Sequence, residues 1–306
     1  MTHEQDSMEP IDVALSAAGH DFTVRVYRAE ESNGTTLVWL HGGAFMFGDL
    51  EMPEADRTAR DLAARGTTVV SVDYTLASLD AAKHLPPPEA LPDFPLPDGL
   101  DLEDPGDRPR AAYPVASQQA AHAVAWAVEH AADWGGAPER VAIGGASAGG
   151  NLAAGAALRL RDGDGVDAFA QVLVYPVLHR VLPPMDADLE RMMGELPGWM
   201  RFPPSATRAI NANYLGGEPD AQHSAEPYAF PAGHDLRGAP RALVITAEAD
   251  DLRPSAQGYV GELAQACVDV AYAVERGSTH GFLNMPGHPA QRDAIERIAR
   301  FLAAEA

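Results

Sequence analysis

A single cysteine, Cys267, in 306 residues leaves no internal disulfide and no cysteine zinc centre to build. Lysine is almost absent too, with Lys83 alone. Lys plus Arg number 22 against 44 Asp plus Glu, a formal charge of −22. So acidic a surface repels nucleic-acid duplexes and anionic headgroups, and neither is an expected partner. Long apolar runs are missing as well. A membrane span needs roughly 20 apolar residues, whereas the longest apolar region, 120–132, is broken by His122, Glu129 and His130. The N-terminal stretch MTHEQDSMEP has no apolar core and reads as neither signal nor transit peptide, so a cytoplasmic protein is expected.

What is present alternates between two periods. Apolar, β-branched runs at 22–28, 36–41, 68–74, 141–144, 171–175, 241–246 and 269–274 predict strands. Between them, helical spacing predicts helices over 54–65, 116–134, 151–161, 254–266 and 289–304. That alternation implies an α/β fold with a mostly parallel sheet covered on both faces.

Two segments break the pattern. Nine of the 25 prolines fall in 85–114, and seven acidic residues lie between Glu89 and Asp107. The stretch can be neither helix nor central strand, and reads as a long irregular insertion within 83–114, a candidate lid. Residues 179–238 carry two short helical patterns among prolines, a small helical unit inserted between strands. The expected division is a core of 20–178 and 239–306, with 1–19 and 179–238 forming a cap region.

Gly145-Ala146-Ser147-Ala148-Gly149 matches G-x-S-x-G between a strand and a helix. A serine on so sharp a turn needs small neighbours, and the helix behind it favours developing negative charge. No lysine follows the glycines, which excludes a Walker-type phosphate loop. His41-Gly42-Gly43 also follows a strand, and paired glycines there can expose backbone N–H groups. Beside the serine turn they describe an oxyanion hole: the N–H of Gly42 or Gly43 with that of Ala148. His41 itself reads as structural. A serine nucleophile needs a base and a carboxylate to orient it. Asp250 and Asp251 follow the strand RALVIT, Asp250 103 residues after Ser147, and His280 follows the next strand 30 residues after Asp250.

Taken together, these motifs make the sequence resemble an α/β-hydrolase of the hormone-sensitive-lipase-like esterase family. The resemblance rests on His41-Gly42-Gly43, Val72-Asp73-Tyr74 with Leu76-Ala77, Ser147-Ala148-Gly149-Gly150-Asn151, Asp250 with Leu252-Arg253, and His280-Gly281-Phe282. It implies an α/β-hydrolase fold with a helical cap, matched by 179–238. The N-terminal cap segment is short, about 20 residues before the first expected strand, and this chain departs from the family pattern in four further places. Ala44 replaces a glycine, and Ala146 replaces the polar residue before the nucleophile. Asp73-Tyr-Thr-Leu-Ala-Ser-Leu79 loses the Arg, Pro and Glu of D-Y-R-L-A-P-E. Asp251 stands where the acid motif D-P-L-R-D has proline.

The implied chemistry is hydrolysis of short-chain, acetyl-like carboxylic esters through an acyl-enzyme. Ser147 is the expected nucleophile, His280 the base and Asp250 the orienting acid, with no metal or organic cofactor. Met192, Met193, Trp199, Met200 and Phe202 are expected to line an apolar cap pocket, and Phe45 and Phe282 to touch substrate. The same site also fits a natural-product deacetylase, an acyltransferase or a dehydratase-like relative. A non-catalytic binding protein on this scaffold is a further alternative. A small-molecule ester is the expected partner, and a homodimer is compatible with the sequence.

Overall fold

Thr36–Leu40 is buried at every position, because its strand lies in the middle of a sheet with both faces covered. In the computed structural model, which describes residues 9–84, 108–163, 165–217 and 226–304, period-two alternation sends Val38 and Leu40 to one face and Leu37 and Trp39 to the other. We number the strands β1 (Ile11–Ala17), β2 (His20–Tyr27), β3 (Thr36–Leu40), β4 (Thr68–Asp73), β5 (Val141–Ala146), β6 (Ala170–Val174), β7 (Arg241–Ala249) and β8 (Val270–Thr279). Their order is β1-β2-β4-β3-β5-β6-β7-β8. β2 is antiparallel to both β1 and β4, and all other pairs are parallel.

Helices α2 (Val115–His130), α3 (Ala148–Arg161) and α6 (Arg253–Gln265) bury their apolar residues on one face. Helices α1 (Asp56–Ala63) and α7 (Pro289–Ala303) cover the other, through Ala59, Leu62, Ala294, Ile295, Ile298 and Leu302. Helices α4 (Ala187–Gly194) and α5 (Pro204–Tyr214) make up the inserted unit between β6 and β7. Asp186 caps α4 by accepting from the Leu189 N–H at 2.8 Å.

Two sequence expectations need correction. Residues 11–17, assigned to the cap region, form the antiparallel edge strand of the sheet. Val13, Leu15 and Ala17 alternate toward the core, and Asp12, Ala14 and Ser16 face outward. The insertion is only partly described, since 85–107 lie outside the described residues. Its C-terminal end is an integral part of the core: Ala111 N–H donates to Leu76 O at 2.9 Å, and Tyr113 N–H to Tyr214 O at 2.8 Å.

Helix α3 approaches β3 closely because Gly149 has no side chain. A Cβ there would lie 2.1 Å from Leu40 O and 2.4 Å from His41 O, both backbone atoms that cannot rotate away. Gly149→Ala is therefore expected to destabilise the protein by about 3 kcal/mol or more. Chemical denaturation checks this, and a midpoint equal to wild type would contradict the packing described.

Candidate active site

Strand β5 ends at Ala146 and helix α3 begins at Ala148, so Ser147 alone makes the turn. It adopts φ +54° and ψ −115°, a conformation that L-residues avoid. Its N–H donates to Val174 O at 2.9 Å, which ties the turn to β6. Gly145 keeps the turn open, since a Cβ there would meet Gly149 carbonyl atoms at 2.5 Å. The result is a serine on the outside of a sharp bend, partly exposed, with a helix N-terminus behind it.

Asp250 follows β7 directly and is buried. Its Oδ1 accepts the Leu252 N–H at 2.8 Å, and its Oδ2 accepts from His280 Nδ1 at 2.8 Å. His280 follows β8, and its Nε2 lies 3.0 Å from Ser147 Oγ. One tautomer satisfies both contacts, with Nδ1–H donating to Asp250 and Nε2 accepting from the serine hydroxyl. Three residues distant in sequence thus form one hydrogen-bonded row. The imidazole is held from its sides by Tyr175 and Phe202, each with ring centroids at 4.9 Å.

Burial pushes the His280 pKa down, but the opposing influences win and leave it above the ordinary 6.5. These are the charge and hydrogen bond of Asp250, with the charges of Glu54 and Asp251 adding in the same direction.

The loop after β3 faces this row. Gly42 does not offer its N–H to a substrate oxygen, contrary to the sequence expectation. That N–H donates to Glu54 Oε1 at 2.6 Å. The N–H groups of Gly43, Ala44 and Ala148 have no hydrogen-bond partner among the described residues. Gly43 has φ +110°, and a Cβ on it would strike Phe47 O at 2.2 Å. Ala44 and Phe45 follow at φ +54° and +63°, so the chain turns with its amides exposed. The Tyr74 hydroxyl donates to His41 O at 2.9 Å and braces the loop from below. His41 is fully buried, stacked on Tyr74 with centroids 4.5 Å apart, and its Nδ1 donates to Gly42 O at 2.7 Å. Burial lowers its pKa, in keeping with a structural role.

Glu54 is not marked in the sequence, where it reads as the start of a helix. The structure buries it. Besides Gly42, its carboxylate accepts the Tyr175 hydroxyl at 3.0 Å, and its backbone N–H donates to Asn284 Oδ1 at 3.1 Å. It therefore links the loop after β3, the aromatic wall beside His280 and the turn after β8. No spacing rule marks such a residue, because its partners come from three distant segments.

Two expected substrate contacts do not reach the site. Phe45 is buried, stacked on Tyr214 at 4.1 Å. Phe282 is buried beneath the histidine and packs edge-on against Tyr175 at 4.9 Å. Both are core residues because the loops carrying the motifs turn inward at them. Phe202 does stand beside His280. Met192 is half-buried in a small cap cluster with Leu189, Met193 and Ala249. The backbone at Trp199 lies in a short 3-10 turn, Gly198–Met200, of the same cap segment. Among the described residues, no group of three or more His, Cys, Asp or Glu is arranged to hold a metal ion. No described helix is long and apolar enough to cross a membrane.

Comparison with known proteins agrees with this fold. Residues 37–84 and 108–284 match a family described as alpha/beta hydrolase fold. The chain belongs to this family, among its hormone-sensitive-lipase-like carboxylesterases. The gap in the match coincides with the proline-rich insertion. Carboxylesterase NlhH of Mycobacterium tuberculosis is 31% identical over 273 residues, covering 86% of this chain and 72% of that protein. The ethyl acetate hydrolase of Pseudomonas putida is 30% identical over 293 residues, covering 90% and 76%. The solved esterase of Pyrobaculum calidifontis superposes with a TM-score of 0.76 at 29% identity, covering 97% of this chain and 85% of that one.

Glu54→Gln keeps a hydrogen-bonding side chain and removes its charge. The His280 imidazole is expected to titrate at lower pH in this variant, read by NMR of the ring resonances. An unaltered titration would show that the Glu54 charge is not felt at the site.

Proposed function

We propose that this ester-hydrolysing serine hydrolase is a short-chain carboxylesterase that works through an acyl-enzyme on Ser147. The observation carrying the reading is the unbroken row Asp250–His280–Ser147, at 2.8 and 3.0 Å. His280 takes the serine proton as Oγ attacks the ester carbonyl. Asp250 holds the imidazole and stabilises its positive form. The N–H groups of Gly43, Ala44 and Ala148 receive the oxyanion, each typically contributing about 3 kcal/mol to the transition state. His280 then returns the proton to the leaving alcohol and activates water for deacylation.

Preference for small acyl groups is supported by the position of Phe202, whose ring against His280 puts an aromatic wall close to the reacting atoms. Relatives of the chain include proteins named ethyl acetate hydrolase and acetyl esterase. Such names fit a small acyl pocket.

The decisive assay is hydrolysis of p-nitrophenyl esters from acetate to palmitate. Turnover is expected to peak at short chains. Ser147→Ala, with its fold intact, should lose roughly 10⁴-fold or more in kcat; retained activity would sink the assignment. The pH profile offers a separate check. His280 acts only when neutral and its pKa is raised, so kcat/KM should fall on the acid side with a midpoint above 6.5. A midpoint below 6.5 would contradict the electrostatics of the site.

A further inference from the structure

Asp251 is the residue in the acid loop that the triad does not use. It lies next to Asp250, its side chain is 0% exposed, and it stands where the family pattern has a proline, whose side chain could accept no hydrogen bond. A buried carboxylate is costly unless its lone pairs are satisfied. Here every donor comes from the cap. Arg201 Nε donates to Oδ2 at 3.0 Å and Arg201 Nη2 to Oδ1 at 2.9 Å, a two-pronged grip. The Phe202 N–H adds a third bond to Oδ2 at 2.7 Å. The remaining arm of Arg201 donates from Nη1 to Met193 O at 2.8 Å, at the end of α4. Met193 in turn packs with Leu189 against Ala249, the last residue of β7.

We propose that the Arg201–Asp251 pair is a latch that fixes the 193–202 cap segment over His280 and thereby sets which acyl chains the enzyme accepts. Two successive carboxylates of one loop divide the work. Asp250 orients the imidazole, and Asp251 positions the Phe202 ring that packs on that imidazole. Arg201 and Asp251 are positioning residues, since neither touches the reacting atoms. The proposal rests on the triad reading for its kinetic consequence. Its structural half, the fixing of the cap, does not.

The test compares Asp251→Asn, Arg201→Gln, their double variant and Arg201→Lys with wild type. Asp251→Pro is added as the family-like variant. The Asp251 N–H has no partner among the described residues, so this last change removes no backbone hydrogen bond. Two readouts are taken: amide hydrogen exchange over 193–202, and kcat and KM for p-nitrophenyl acetate through octanoate. Exchange over 193–202 is expected to quicken in Asp251→Asn, Asp251→Pro and Arg201→Gln. KM for the preferred ester should rise about tenfold while kcat changes by less than about threefold, with the preference flattening toward longer chains. The double variant should be no worse than either single one, as expected of partners in one interaction, and Arg201→Lys should fall between. Unchanged exchange overturns the latch, whatever the kinetics. Faster exchange with a wild-type chain-length profile overturns its role in specificity, and strictly additive effects overturn the pairing. If wild-type turnover survives Ser147→Ala, the triad reading fails instead, and the exchange data still decide the latch.

Discussion

The rest of the site is arranged around one backbone constraint, the positive φ of Ser147. Holding an L-residue there costs on the order of 1–3 kcal/mol, and it persists only because its surroundings fix it. Strand β5 delivers the residue, α3 leaves from it, and Gly145 and Gly149 let the two run within contact of β3. In return the hydroxyl projects from the bend instead of packing along the strand. The turn that exposes Oγ also leaves the Ala148 N–H without a partner among the described residues, so the hydroxyl and an open amide come from one local conformation.

A second constraint is electrostatic. Three carboxylates, Asp250, Asp251 and Glu54, are buried around one histidine, and all three raise its pKa against the effect of burial. They are kept apart by what they bind. Asp250 takes His280 and the Leu252 N–H. Asp251 takes Arg201 and the Phe202 N–H. Glu54 takes the Gly42 N–H and the Tyr175 hydroxyl. Each thus ties a different part of the protein to the imidazole: the sheet, the cap and the loop after β3. The Gly42–Glu54 bond also sorts the donors of that loop, since the N–H groups of Gly43 and Ala44 have no partner among the described residues.

Much of the fold was legible because strand and helix periods differ sharply. The apolar runs at 36–41 and 68–74 have no room for a helical face, and 289–304 has no strand alternation. That Ser147, Asp250 and His280 come together was legible because each follows a strand, and the carboxyl ends of parallel strands lie along one edge of the sheet. The edge strand 11–17 is harder to read because it is only half-buried: Val13, Leu15 and Ala17 face inward, Ala14 breaks the apolar–polar alternation by facing outward, and Ile11 is exposed. The choice among neighbouring amides failed for a related reason. Only the fold shows that Glu54 reaches Gly42, since no local pattern encodes a bond across a loop. Phe45 and Phe282 were misjudged by adjacency: sitting beside a motif in sequence does not prevent a ring from turning into the core. Asp251 was visible as a departure from a pattern, but its partner Arg201 lies 50 residues away.

The central claim is that Ser147 is the single nucleophile and that His280 activates it. The most direct test is intact-protein mass spectrometry after treatment with a dialkyl phosphate ester bearing a p-nitrophenyl leaving group, followed by peptide mapping. The account predicts one phosphoryl adduct per chain, on Ser147, and strongly slowed labelling in His280→Ala. An adduct on another residue, or labelling of Ser147 at an undiminished rate without His280, would contradict it.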